Sequence, residues 1–264
     1  MDRKKYWNKE YCEYWKQRTE EAELSGVSNV IKGDTKTADR FTYYSLIKGL
    51  SIGAEDIVLE IGCGFGRGLE RLLTQSKNVY GMDISEAMVR AAKNDYGDET
   101  NGLIVAEAEK PPFKNESFTK IVCFAVFDAL YQKEALVEIN EKLKHGGKVL
   151  ITGKNDNYKD DDEKALVAEI RAREKSHPNY FTDVANLLAN LDAFGFKLLK
   201  AYYYEKRGDF SRNRYMIAGN GAGEFYEYAL FLQKIGVANK TECAGIIVSN
   251  GVSKTFLRAK SHDK

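Results

Sequence analysis

Proline and histidine are scarce in this chain, at three residues each among 264. So few prolines leave no proline-rich linker, and no internal repeat interrupts the sequence. Three histidines and four dispersed cysteines (Cys12, Cys63, Cys123 and Cys243, with no CxxC pair) provide no zinc-site spacing, so no metal is expected. Thiols scattered through apolar segments suit a reducing compartment. A basic excess is also missing, with 40 Lys and Arg against 39 Asp and Glu. Polyanion binding displaces counterions with clustered cations, so nucleic acid is disfavoured as a partner. No apolar stretch approaches the roughly 20 residues of a membrane span. The first residues, Met1 to Trp7, are charged and aromatic, unlike the apolar core of a signal peptide. Together these absences point to a cytoplasmic protein; they leave its oligomeric state open.

What is present is ordinary for a globular α/β chain: 43% hydrophobic and 30% charged residues. Helical spacing of Trp7, Tyr11, Tyr14 and Trp15 predicts a helix over 3–24, and a second is predicted over 36–50. Strands are then expected at 57–60, 79–82, 103–106, 120–126 and 148–152, with helices at 66–75, 86–94 and 133–144 between them. The last helix is read as stopping at His145-Gly146-Gly147. Apolar strands alternating with helices predict a parallel sheet covered on both faces. Beyond Thr152, helices are expected at 160–175 and 182–194 (N-capped by Thr182), a strand at 196–204 and a helix at 224–234. A hairpin is expected over 243–258 around Asn250-Gly251. Residues 1–50 are read as a helical cap, 51–155 as the core and 156–264 as the rest of the sheet, with 205–240 an insertion that covers the site.

The most informative segment runs Ile57-Val58-Leu59-Glu60-Ile61-Gly62-Cys63-Gly64-Phe65-Gly66-Arg67. A buried strand ends beside a carboxylate, and a turn largely free of Cβ atoms follows, where backbone can approach a ligand closely. The dinucleotide fingerprint GxGxxG fails, because Arg67 and Leu69 stand where its third glycine belongs; no GK[ST] marks a P-loop. Glu60-x-Gly62-Cys63-Gly64-x-Gly66 instead resembles the first motif of the class I S-adenosylmethionine-dependent methyltransferases. The resemblance continues through Gly81-Met82-Asp83-Ile84, Glu107-Ala108 before Pro111-Pro112-Phe113, Ser117-Phe118 and Leu143-Lys144-His145-Gly146-Gly147, over about residues 55–155.

That resemblance implies a Rossmann-like, doubly wound, seven-stranded and mostly parallel sheet, whose last strand is antiparallel and is expected in one arm of the 243–258 hairpin. The implied cofactor is S-adenosyl-L-methionine, leaving as S-adenosyl-L-homocysteine. Glu60 and the backbone of Gly62, Cys63, Gly64 and Gly66 would hold the methionine end, Asp83 the ribose and Glu107 with Ala108 the adenine amino group. Met82 and Ile84 would flank the base, and Phe124 would line the methionine side. The acceptor is expected to be a small molecule, methylated on oxygen or nitrogen.

His177 and Tyr11 are the candidate catalytic side chains; a surface loop and core packing are the plain readings of each. Tyr14, Arg40, Arg212 and Arg214 are candidate substrate contacts. The mixture of arginine and tyrosine around 202–215 suits an anionic or sugar-bearing acceptor, such as a surface-polysaccharide precursor. The alternatives are a protein that binds the cofactor without turning it over, and a methyltransferase with a protein substrate.

Overall fold

The computed structural model describes residues 3–12, 45–212, 214–216, 221 and 223–262. Only the first part of the predicted 3–24 helix is therefore described. It is α1 (Arg3–Lys5), which widens into a π-helical turn over Tyr6–Glu10. Of the predicted 36–50 helix, 45–48 is described and helical, and Leu46, Ile47 and Leu50 are buried in the core.

The core then alternates as expected: β1 (Ile57–Ile61), α2 (Arg67–Leu73), β2 (Asn78–Asp83), α3 (Glu86–Tyr96), β3 (Gly102–Val105), β4 (Phe118–Cys123), α4 (Gln132–Lys142) and β5 (Leu143–Lys154). Next come α5 (Glu163–Glu174), β6 (Phe181–Thr182), α6 (Val184–Ala189), β7 (Phe196–Tyr204), β8 (Glu227–Lys234), α7 (Lys240–Ala244), β9 (Ser249–Asn250) and α8 (Lys254–His262). Seven strands form one sheet in the order β3-β2-β1-β4-β5-β8-β7. The β1 to β5 pairs are parallel, while β8 runs antiparallel to both β5 and β7. The predicted Rossmann-like sheet with one reversed strand is thus present, and among the described residues no helix is long and apolar enough to cross a membrane.

Four local expectations are corrected. The reversed strand is β8, inside the segment read as an insertion and predicted as a helix. Tyr228, Leu230 and Leu232 enter one core cluster while Ala229 and Phe231 enter the other, so both faces are covered. A strand apolar on both faces has no visible alternation and reads like a buried helix. The predicted hairpin at 243–258 is instead α7, the short β9 and α8. Asn250-Gly251 leads into a helix, where the Ser253 hydroxyl accepts from the Phe256 amide at 2.9 Å. Thr182 is not an N-cap; the side chain of Asp183 accepts from Asn186 N, and Thr182 is buried with its hydroxyl donating to Gln132. Finally, α4 ends at Lys142 and the chain extends at once, so His145-Gly146-Gly147 lies within β5 rather than in a helix stop.

Candidate active site

The C-terminal ends of β1 and β2 build a cavity floor from the glycine turn. The amides of Gly62 and Cys63 donate to the carbonyl of Met82 at 2.7 and 3.0 Å, and Gly64 N donates to Asp83 Oδ2 at 3.0 Å. Asp83 Oδ1 accepts from Ser85 N at 2.8 Å, so one carboxylate holds the turn against the start of α3. Burial raises the proton affinity of Asp83, and its bonds to Ser85, Gly64 and Ile84 amides oppose that rise. Gly62 has φ +72°, and a Cβ there would overlap the Val126 side chain. Gly62→Ala is therefore expected to destabilise the protein by about 1–3 kcal/mol, read as a lower denaturant midpoint.

Glu60 is 3% exposed, and its Oε2 has no hydrogen-bond partner among the described residues. Room for the carboxylate comes from Gly68 on α2, where any Cβ would collide with it. Burial, followed by repulsion from Asp83, pushes Glu60 up to about 8, against a pull from Arg67. A buried acceptor left unmatched in this way costs about 1–3 kcal/mol, more when ionised.

Glu60, Gly62, Cys63, Gly64, Met82, Asp83, Ile84, Ala108 and Phe124 all line this one cavity. Gly66 does not; it starts α2 with φ +91° and gives room to the Tyr96 ring. Glu107 also stands off the lining, half exposed and 3.8 Å from Arg3. The lining also includes Phe65 and Arg67 of the turn, Val126, Leu130, and Arg3 and Trp7 of the N-terminal segment.

Tyr11 lines the cavity beside Trp7, with ring centroids 4.4 Å apart. Among the described residues, contacts of Arg3, Asn8 and Tyr6 reach the core. Arg3 makes a two-pronged ion pair with Glu109 at 2.6 and 2.7 Å, and lies over the Tyr131 ring at 4.4 Å. Asn8 Oδ1 accepts from the Ser85 hydroxyl at 3.2 Å. Tyr6 Oη and His177 Nδ1 are hydrogen-bonded at 2.6 Å. His177 stacks on Tyr11 at 5.2 Å and meets Trp7 edge-on, away from the cavity lining. Burial, reinforced by Lys154, pushes His177 down to about 4, so it is neutral at physiological pH.

Beyond Phe124 and Val126, the ends of β4 and β5 carry a charged group. Lys154 is ion-paired with Asp128, and its Nζ also donates to Asn179 Oδ1 at 2.8 Å. Arg212 and Arg214 line a separate, open depression with Arg207, Lys164 and Lys206, facing Asp161, Asp162, Glu163, Glu205 and Asp209. Among the described residues cations and carboxylates balance there, and none of them lines the first cavity. Tyr14 and Arg40 lie outside the described residues.

Residues 59–151 match the family model for a methyltransferase domain. An uncharacterized protein, MJ1252, of Methanocaldococcus jannaschii is 35% identical over 158 residues, covering 56% of this chain and 59% of that protein. The chain thus spans little more than half the length of this relative. Among solved structures, a TehB-like methyltransferase from Corynebacterium glutamicum has a TM-score of 0.57 at 17% identity, over 86% of this chain and all of that one. Geranyl diphosphate C-methyltransferase from Streptomyces coelicolor, in complex with S-adenosyl-L-homocysteine, has a TM-score of 0.59 at 15% identity, over 74% of this chain and 76% of that one. Both structures share the fold described above. Residues 59–151 are thus similar to a methyltransferase domain, and the sheet that carries them has the fold of these two solved methyltransferases.

Proposed function

We propose that the protein transfers a methyl group from S-adenosyl-L-methionine to oxygen or nitrogen of a small-molecule acceptor. The observation that carries this reading is the buried, unpartnered Glu60 oxygen in a glycine-floored cavity. The donor has a cationic sulfonium, an ammonium, a ribose diol and a flat base. A cavity with two carboxylates, exposed backbone and apolar walls suits that set of groups. Bound there, the donor supplies an electrophilic methyl carbon.

Glu60 accepts from the ammonium, which satisfies its free oxygen. Gly62 and Gly64 give the methionine end a floor without side chains. Asp83 lies next to the ribose, Met82 and Ile84 flank the base, and Ala108 borders its edge. Phe124 walls the methionine side, while Trp7 and Tyr11 exclude water from above. His177 serves this cap by fixing Tyr6. With nucleophile and methyl aligned in a dry site, orientation alone contributes as much as ~7–11 kcal/mol.

A ligand that binds the folded state alone at about 100 times its Kd adds about 2.7 kcal/mol of stability. S-adenosyl-L-homocysteine should therefore raise the melting temperature by roughly 5–10 °C, and NAD and NADP should leave it unchanged. A shift with either dinucleotide and none with S-adenosyl-L-homocysteine would reverse the assignment.

A further inference from the structure

Two polar groups at the C-terminal edge of the sheet have no hydrogen-bond donor or acceptor matched to them among the described residues, and no part in holding the donor. Tyr204, the last residue of β7, is fully buried, and its hydroxyl has no hydrogen-bond partner among the described residues. Directly opposite it on β8 stands Glu227, which in turn faces Lys154 on β5. Among the described residues nothing donates a hydrogen bond to the Glu227 carboxylate.

Paired residues on neighbouring strands share a face, as do residues an even number apart along a strand. By register, Glu60 pairs with Val122 and Val122 with Leu150, and Lys154 lies four residues beyond Leu150. Glu60, Lys154, Glu227 and Tyr204 therefore occupy the same face of the sheet. Phe210 links the two regions: its ring packs on Tyr204 at 4.8 Å and on Phe124, a wall of the donor cavity, at 5.5 Å. Two rings, Phe210 and Phe124, thus connect the Tyr204 side of this pair to the donor cavity.

We propose that Glu227 takes the proton from the methyl acceptor, an N–H or O–H nucleophile whose polar head sits between Glu227 and the Tyr204 hydroxyl. This inference rests on the methyl-transfer reading above. The nucleophile's lone pair forms the bond to the methyl carbon, and the carbon–sulfur bond breaks with its electrons remaining on sulfur. The N–H or O–H proton passes to the Glu227 carboxylate and from there to solvent. The sulfonium charge and the carboxylate charge are lost together, so the step balances.

The surroundings fit that role. Burial carries Glu227 up to about 7; Arg207 and Lys154 pull against it, while Asp128 and Asp162 push with it. The hydroxyls of Tyr204 and Tyr226 border the same group, and burial keeps both protonated. A carboxyl half ionised near neutrality is suited to general-base work. His177, pushed far lower and engaged by Tyr6, is poorly matched to it.

The test uses the full chain, methyl-labelled S-adenosylmethionine and a deproteinised small-molecule cell extract as the acceptor source, from about pH 5.5 to about pH 9. Wild-type transfer should rise with pH through neutrality. Glu227→Gln should lose at least ~100-fold and lose that rise, while binding S-adenosyl-L-homocysteine as wild type does. Glu227→Asp should keep a reduced rate and a shifted rise, and it decides the matter if the Gln variant does not fold. Wild-type rates in both variants, or a slowed variant that keeps an unshifted rise, overturn the role of Glu227. Wild-type protein that binds S-adenosyl-L-homocysteine but labels nothing overturns methyl transfer itself, and this inference with it.

Discussion

Glu60→Gln should weaken S-adenosyl-L-homocysteine binding by roughly 10- to 150-fold, the worth of about 1.5–3 kcal/mol for a hydrogen bond to a charged group. Gln keeps the shape of the protonated acid, so the cavity survives while the carboxylate charge that pairs with an ammonium is lost. The wild-type pH dependence follows from the same group. With Glu60 at about 8 in the folded, ligand-free protein, most molecules carry the proton at neutral pH. A ligand ammonium favours the carboxylate, so binding releases that proton and affinity rises with pH until about 8. Without ligand the sign for folding is opposite. The folded state retains a proton that an unfolded chain releases at its ordinary 4.5, so stability falls as pH rises from 4.5 to about 8. Glu60→Gln should remove both dependences, leaving a ligand-free protein more stable than wild type at high pH. Calorimetric titration and denaturant melts at two pH values separate the two effects.

Glu169→Ala should be the most destabilising single change outside the cavity, at about 3–5 kcal/mol, the range for breaking a buried ion pair. Glu169 is 1% exposed on α5. Its Oε2 accepts from the Tyr158 hydroxyl at 2.8 Å and the Ser253 hydroxyl at 2.6 Å. Oε1 accepts from Ser253 N at 3.0 Å and is paired with Arg173. Truncation leaves Arg173 without its carboxylate and two hydroxyls and an amide without an acceptor, and it frees the start of α8 from α5. The melting temperature should fall by roughly 6–20 °C. Binding of S-adenosyl-L-homocysteine below the transition should persist, because the cavity lies at the far side of β5 from this knot. Loss of binding at temperatures where the variant is folded would show that the C-terminal helices shape the cavity.

The donor half of the molecule was legible because its signals are local. Glu60, the glycine turn and Asp83 lie at strand ends fixed by βα alternation, and their bonds span few residues or adjacent strands. The cap contacts were not legible, because Arg3 meets Glu109 across 106 positions and nothing in either neighbourhood marks the pair. Asn8 on Ser85 and Tyr6 on His177 are hidden for the same reason. In the second half, β8 was masked by being apolar on both faces, and with it went the alignment of Lys154, Glu227 and Tyr204 that depends on its register. Asn250-Gly251 carried a true turn signal attached to the wrong partner: Ser253 caps a helix three residues later. Arg212 and Arg214 suggested an anion site by composition, whereas Glu205 and Asp209 nearby and Asp161, Asp162 and Glu163 from a distant segment supply carboxylates to the same depression.

The most direct measurement is a crystal structure of the protein grown with saturating S-adenosyl-L-homocysteine. The ligand should lie in the cavity beneath Trp7 and Tyr11, with its amino group on the free oxygen of Glu60 and its ribose beside Asp83. A ligand bound elsewhere, or a Glu60 oxygen still without a partner under a bound ligand, would contradict the account.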